Sequence, residues 1–342
     1  MLRRTFALTA GLALAGGALT ACHTGKTGAA SDPEPSVSAV ADANAFPVTI
    51  KTSFGPVTLK RQPARIVALG TNDADNLLSL GVVPVGMTKV SWGGNPRGSD
   101  PWVDARLKDL GAKLPTLLDD TDSVPMDAVA ALNPDVILAT NYSLTRQQYQ
   151  TLSKIAPVVA YPGAAWTTTW QDSLTMDGEA TGLMTQAKTV AQKTQADLDA
   201  AKAKYPQIQG KTFIWASLST TDLSSVAFYT PSDARPLLLT TLGMRNAPII
   251  TKLSKPGQFY GTVSAERAAD LSSDVLISYV NKPSDATTYA KDRLVGQIPA
   301  IKAGHLAVFP EGFAAAAGTR TTPLSIPYAI AHFVPQIAAA VS

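Results

Sequence analysis

The sequence predicts an α/β protein of two similar lobes with parallel sheets, joined by one long helix. Three observations predict it. Six short apolar runs alternate with helical patterns, two blocks of sequence recur in the same order in both halves, and an amphipathic stripe of 30 residues lies between the halves. Continuous apolar runs suit strands buried on both faces of a parallel sheet, and their alternation with helices is the α/β signature. A length of 342 residues suits one or two domains, and 45% apolar with 16% charged residues is ordinary globular composition.

Taken along the chain, the first segment is for export. Arg3 and Arg4 open residues 1–22, an apolar stretch runs from Phe6 to Leu19, and small residues follow. The stretch falls short of the roughly 20 apolar residues a spanning helix needs, so residues 1–21 are expected to be a cleaved signal. Leu19-Thr20-Ala21-Cys22 resembles the bacterial lipobox, whose cysteine takes a diacylglycerol and becomes the new N-terminus. Cys22 is the only cysteine; the plainer reading is a cysteine that happens to end a signal peptide. Arg3-Arg4-Thr5-Phe6 leaves twin-arginine and general secretory export both open. Loss of Arg3 and Arg4 takes Lys+Arg from 29 to 27 against 26 Asp+Glu, a net charge of +1. Residues 22–45 are Gly, Ser, Ala, Pro, Asp and Thr with little apolar content, and are expected to be a flexible tether. Lipid and tether together place a soluble domain at the outer face of the cell membrane.

The first lobe is expected over 46–170. Its strand-like runs are Arg65–Leu69, between Pro63 and Gly70, Asp135–Ala139, after Pro134, and Pro157–Tyr161, before Pro162. The second lobe is expected over 207–342, with runs at Lys211–Trp215, Asp274–Ser278 and Leu306–Phe309. Proline and glycine punctuate each run, as they do at strand ends.

The halves match in wording. Met126-Asp127-Ala128-Val129-Ala130-Ala131-Leu132-Asn133-Pro134-Asp135-Val136-Ile137-Leu138 aligns with Ala265-Glu266-Arg267-Ala268-Ala269-Asp270-Leu271-Ser272-Ser273-Asp274-Val275-Leu276-Ile277. In each, an acid opens a short helix, where the helix dipole favours it, and an Asp opens a strand. Leu78-Ser79-Leu80-Gly81-Val82 likewise matches Thr240-Thr241-Leu242-Gly243-Met244, a helix stopped at glycine.

The connecting helix is expected over 171–206. Apolar or small residues fall at Met176, Ala180, Leu183, Ala187, Val190, Thr194, Leu198, Ala201 and Tyr205, always three or four apart, and Pro206 ends the pattern. Thirty residues at 1.5 Å rise span about 45 Å, enough to cross the back of both lobes. Gly178 and Gly182 weaken its first turns and leave its start open.

Composition narrows the chemistry. A formal charge of +3 offers no basic excess for a phosphate backbone, so a nucleic-acid partner is not expected. One cysteine excludes a disulfide framework, an iron–sulfur cluster and a multi-cysteine zinc site, and His23, His305 and His332 make no ligand motif. The chain has no GxSxG elbow, Walker A loop, GxGxxG fingerprint or HExxH helix, and no catalytic residue is assigned. Asp119-Asp120-Thr121-Asp122 reads as a solvated loop or, without the glycine and glutamate of a calcium loop, as a weak calcium candidate.

What remains is a set of aromatic and cationic residues near strand ends. Trp92 lies in the loop-like Val90–Arg97, Tyr142 follows the strand ending at Ala139, and Trp166 and Trp170 follow the strand ending at Tyr161. In the second half Tyr229 and Arg235 share Phe228–Arg235, Tyr279 follows Ser278, and Phe313 and Arg320 follow Phe309. Ligands in open α/β sheets sit beyond the carboxyl ends of the strands, so this set is the candidate lining of one crevice. For each residue alone, packing against its own loop is the competing reading.

The lipobox, Pro63–Leu69, Ala131–Leu138, the central helix and Ile298–His305 together resemble the substrate-binding lipoproteins of ABC importers for ferric siderophores, haem and cobalamin, over about residues 46–340. Ala139-Thr140-Asn141-Tyr142, Leu152–Pro157 and Thr322–Tyr328 resemble in particular the FecB-like branch of the class III periplasmic binding proteins. The resemblance implies two Rossmann-like lobes joined by one rigid helix with the ligand cleft between them, a non-enzymatic monomer, no resident cofactor, and delivery of the ligand to an ABC permease. It also implies an acid on each lobe that docks the permease, at Asp127 and Glu266. Asp127 departs from the more usual Glu and reaches one methylene less far.

Related importers bind bare manganese or zinc through His and carboxylates, which this chain lacks in suitable loops. A ferric siderophore brings its own oxygen donors and needs only aromatic walls and a few donors such as Arg. Haem or another tetrapyrrole, with Tyr142, Tyr229 or Tyr279 as axial ligand, stays open. So does a lipid-anchored cell-wall enzyme, although no nucleophile–base or paired-carboxylate site can be assembled for it.

Overall fold

The computed structural model describes residues 39–341. The expected signal, Cys22 and most of the expected tether lie outside the described residues.

The first strands were not marked by a long apolar run. β1 (Val48–Thr52) and β2 (Gly55–Leu59) pair antiparallel across Ser53-Phe54. Ile50, Val57 and Leu59 are buried, and their immediate neighbours in the strands are more exposed, the period of two expected of a strand with one wet face. Next comes a five-stranded sheet of β3 (Ile66–Ala68), β4 (Gly86–Thr88), β5 (Thr116–Leu118), β6 (Val136–Ala139) and β7 (Val158–Ala160), in the order β5-β4-β3-β6-β7. Every pairing in it is parallel. Each residue of β3, β6 and β7 is buried, which is what their unbroken apolar runs require. β4 and β5 have three residues each and no such run, so pattern alone does not find them.

The second sheet contains β8 (Thr212–Ser217), β9 (Ser225–Tyr229), β10 (Arg245–Asn246), β11 (Tyr260–Ser264), β12 (Val275–Val280) and β13 (Leu306–Pro310), ordered β11-β9-β8-β12-β13 with β10 beside β8. Here the expectation of a parallel sheet is corrected. β8, β10, β12 and β13 are parallel, but β9 runs antiparallel to both β8 and β11. The physical reason is the connection. Leu218–Ser224 contains no helix, and a parallel return needs a crossover of a dozen or more residues.

The internal repeat is present in three dimensions. Asp135, ahead of β6, accepts the backbone N–H groups of Ala64 and Arg65 at 2.7 and 3.0 Å, at the entry to β3. Asp274, ahead of β12, accepts the N–H and hydroxyl of Thr212, both at 2.7 Å, at the entry to β8. The helices Asp73–Ser79 and Ala234–Thr241 also end alike. Gly81 (φ 78°) and Gly243 (φ 96°) take the left-handed conformation, and the next N–H reaches back to Leu77 or Leu239.

The single connecting helix is corrected to two, Trp170–Thr181 and Met184–Lys204. Gly182 breaks it at φ 73°, and Leu183 N–H turns back to the Gly178 carbonyl at 2.8 Å. The second helix has 21 residues, about 32 Å long rather than 45 Å. Its predicted stripe does face inward, with Ala187, Thr194, Leu198 and Ala201 buried. The break is held by the chain before the first lobe, which corrects the end of the expected tether. Asp42 N–H donates to the Gly182 carbonyl at 2.8 Å, its carboxylate accepts from Thr185 N–H at 2.8 Å, and Ala39 accepts from Gln62 at 2.9 Å. Residues 39–45, expected in the tether, therefore include Ala39 and Asp42 bonded to the folded domain. One apolar core runs through both lobes, from Leu174 and Leu198 to Trp215, Phe309 and Phe333, so the lobes share a packed back.

Candidate functional site

The ends of β3, β4, β6 and β12 and the loops beyond them meet between the lobes. Two adjoining cavities open there, about 160 and 420 Å³, and they share Thr71 and Arg320. The larger takes Asn141 and Trp166 from the first lobe and Asp233, Arg235 and Phe259 from the second. The predicted interlobe cleft is thus formed, with walls from both halves of the repeat.

Arg235 is the donor built into this cleft. Asp233 caps the helix Ala234–Thr241 by accepting Arg235 N–H at 2.9 Å, and it pairs with the same guanidinium at 2.6 Å. The guanidinium lies 4.0 Å over the Tyr229 ring, which fixes its plane. Its Nε is buried and has no hydrogen-bond partner. Burial opposes its charge, but Tyr279, Asp233 and Tyr229 outweigh burial and hold the group above its ordinary value, so it stays protonated. A buried, charged N–H without an acceptor is costly, and the rest of the guanidinium lines the cavity.

Trp166 lines the same cavity with its backbone left-handed at φ 64°, an unfavourable place for a bulky residue. Its ring meets Tyr142 edge-on at 5.7 Å. Tyr142 itself is buried and donates to Asp120 at 2.7 Å, and burial, followed by Asp120, raises its phenol. Tyr279 is half-buried; its ring meets Trp92 edge-on at 5.1 Å, its hydroxyl lies 2.5 Å from that of Thr319, and burial pushes it to about 12. Trp92 lines the smaller cavity and touches the second lobe through Tyr279. Of the nine predicted residues four line the two cavities, Trp92, Trp166, Arg235 and Arg320, and Tyr142, Tyr279 and Tyr229 pack behind Trp166, Trp92 and Arg235.

Arg320 has a different task from the one expected. It clasps the lobes. Its Nη1 contacts both Asp100 oxygens at 2.7 Å and its Nη2 donates to the Trp92 carbonyl at 2.8 Å. Gly93 N–H donates to Glu311 at 3.0 Å beside it, a second bond between the lobes. Trp170 does not face the main cleft. It is buried in the core and lines a separate crevice of about 130 Å³. Phe313 is 36% exposed and lines neither main cavity. Asp127 and Glu266 are exposed, each in the first turn of its short helix, α-helical in the first lobe and 3-10 in the second.

Several residues escape a search made after strand ends. Phe259 stands in front of β11, and only the antiparallel pairing of Tyr260 with Tyr229 brings it to the cleft. The Pro256-Gly257 turn before it was the available signal. Asp75 is buried in the helix Asp73–Ser79, where it accepts from Trp102 Nε1 at 2.9 Å and from Thr322 at 2.5 Å. Burial and then Asp100 push it to about 7; burial brings Asp100 to about 6 against the pull of Arg320. The acidic cluster is not wholly solvated either. Asp120 lines the smaller cavity, while Asp119 pairs with Lys89 at 2.7 Å. Among the described residues no group of three His, Cys, Asp or Glu is placed to hold a bare metal ion.

Comparison with known proteins agrees with this architecture. The probable siderophore-binding lipoprotein YfiY of Bacillus subtilis is 30% identical over 245 residues, 70% of each chain. The crystal structure of PiaA from Streptococcus pneumoniae in complex with ferrichrome superposes with a TM-score of 0.82 at 33% identity, covering 86% of this chain and 98% of PiaA. A periplasmic solute-binding protein from Mycobacterium smegmatis gives 0.71 at 28% identity, covering 86% and 99%. The model of the periplasmic binding protein family matches residues 66–312. With a matching core, a matching fold and a cleft between two repeated lobes, the chain belongs to the periplasmic binding protein family.

Proposed function

We propose that this protein captures a ferric siderophore in the interlobe cleft and delivers it to an ABC-type importer for iron uptake. The observation that carries the reading is the cleft at Arg235. A guanidinium fixed by Asp233 and Tyr229 lines a space walled by Trp166 and Phe259. This is the small donor set a preformed iron chelate needs, since the chelator already fills the metal's coordination sphere. The names of YfiY and PiaA's bound ferrichrome support it. On this reading the iron is cargo, the protein has no resident cofactor and acts as a monomer, and it catalyses no reaction.

The haem alternative finds no support at Tyr142 or Tyr279, and the face of Tyr229 is covered by the Arg235 guanidinium. The Tyr142 and Tyr279 hydroxyls already have partners, and both phenols are raised, which disfavours the phenolate an axial ligand would need. Lipidation of Cys22 would hold the protein at the outer face of the membrane, and Asp127 and Glu266, at equivalent places in the repeat, would dock the permease. Titration with ferric siderophores and haemin, read by Trp fluorescence, tests the central claim. Quenching by a ferric siderophore at micromolar or lower concentration is expected; quenching by haemin alone would transfer the protein to the tetrapyrrole class.

A further inference from the structure

We infer that the ligand is an electroneutral ferric chelate of the tris-hydroxamate class, and that polyanionic catecholate and carboxylate chelates are rejected. This rests on the ferric-chelate reading above and deepens it. The relatives' names do not choose between these classes, for they include a dicitrate binder and a hydroxamate binder. The charges in the cleft do. Three cations line the two cavities: Lys89, Arg235 and Arg320. Each pairs with a carboxylate of this chain: Arg235 with the buried Asp233 at 2.6 Å, Arg320 with the buried Asp100 at 2.7 Å, and Lys89, in an exposed pair, with Asp119 at 2.7 Å. Asp75 and Asp120 line the cleft as well and have only neutral donors, Trp102 and Thr322 for the first and Tyr142 for the second. Lys255, on the loop before Phe259, is exposed and lines neither cavity.

Whichever form Asp75 takes, the carboxylates lining the cleft (Asp100, Asp120 and Asp233, with Asp75) equal or outnumber its three cations, so it carries no net positive charge. A polyanion entering it would lose its water beside carboxylates and meet no net positive charge, or it would have to break Arg320 from a nearly buried Asp100, 3% exposed. A neutral chelate meets neither obstacle. Its carbonyl or hydroxamate oxygens can accept from the Arg235 guanidinium where it reaches the cavity wall, and its apolar linkers can lie on Trp166 and Phe259.

The test is a direct comparison on the purified protein of ferrichrome, a neutral tris-hydroxamate, with ferric enterobactin, a trianionic tris-catecholate. Ferrichrome is expected to bind at least about 100-fold more tightly, because like-charge juxtaposition costs several kcal/mol. Its affinity is expected to change less than about twofold between roughly 0.05 and 0.5 M salt, since no net charge is screened. Equal or tighter binding of ferric enterobactin overturns the inference and leaves the ferric-siderophore reading intact. Binding of neither chelate, with haemin bound, overturns both.

Discussion

Replacing Asp75 by Asn should stabilise the protein, and more so as the pH rises. Asp75 is fully buried in the wall of the cleft, and burial with Asp100 beside it takes its carboxyl from an ordinary 3.8 to about 7. At 1.36 kcal/mol for each pH unit between those values, ionising it costs about 4 kcal/mol more in the folded protein than in the unfolded chain. Because the folded value is the raised one, the folded state binds the extra proton. The resulting stability is full below about pH 4 and is lost as the pH climbs through 7. Asn has no proton to lose, and its amide oxygen can still accept from Trp102 and Thr322. The other groups facing this position, Asp100 and Arg320, remain in both proteins. Urea unfolding of wild type and Asp75→Asn at pH 5 and pH 8 should show the variant's relative stability rising by about 2–3 kcal/mol between the two. A difference that is the same at both pH values would mean that Asp75 is ionised at both, and the account of the cleft wall would be wrong.

Four further outcomes are expected. Trp166→Ala should weaken siderophore binding by about 1–3 kcal/mol, the scale of a buried aromatic anchor, whereas Trp170→Ala should chiefly lower the melting temperature; unchanged affinity in Trp166→Ala would remove that wall from the site. Gly182→Ala should destabilise by about 1 kcal/mol or more, since a Cβ there meets Phe46 at 2.6 Å and φ is positive; unfolding midpoints equal to wild type would contradict this. Cys22→Ser should move the protein from the membrane to the soluble fraction with unchanged ligand affinity, and membrane-bound variant would end the lipid-anchor proposal. Asp127→Ala/Glu266→Ala should bind ligand normally yet impair iron uptake by cells at matched protein levels. Normal uptake would reduce both acids to helix N-terminal charges, each contributing about 0.3–1 kcal/mol.

The sequence by itself determined the layered architecture and the repeat. Ile66–Ala68, Val136–Ala139 and Val275–Val280 are long enough and apolar enough that only a doubly covered sheet can bury them. Asp135 and Asp274 could be matched because each performs a local task, holding the backbone at a neighbouring strand's entry. Local chemistry also placed Arg235 beside Tyr229, six residues away. What only the tertiary structure decided are relations between distant residues. Arg320 reads the same in sequence whether it faces a ligand or, 220 residues away, Asp100. Trp166 and Trp170 are four apart, yet a left-handed backbone at the first and a helix start at the second send one to the cleft and the other to the core. Phe259 needed the antiparallel register of β11, and the break at Gly182 needed Asp42 and Phe46 to arrive from the other end of the fold. Periodicity encodes which face is buried; it does not encode which buried or charged partner waits there, because that partner is supplied by chain that is remote in sequence.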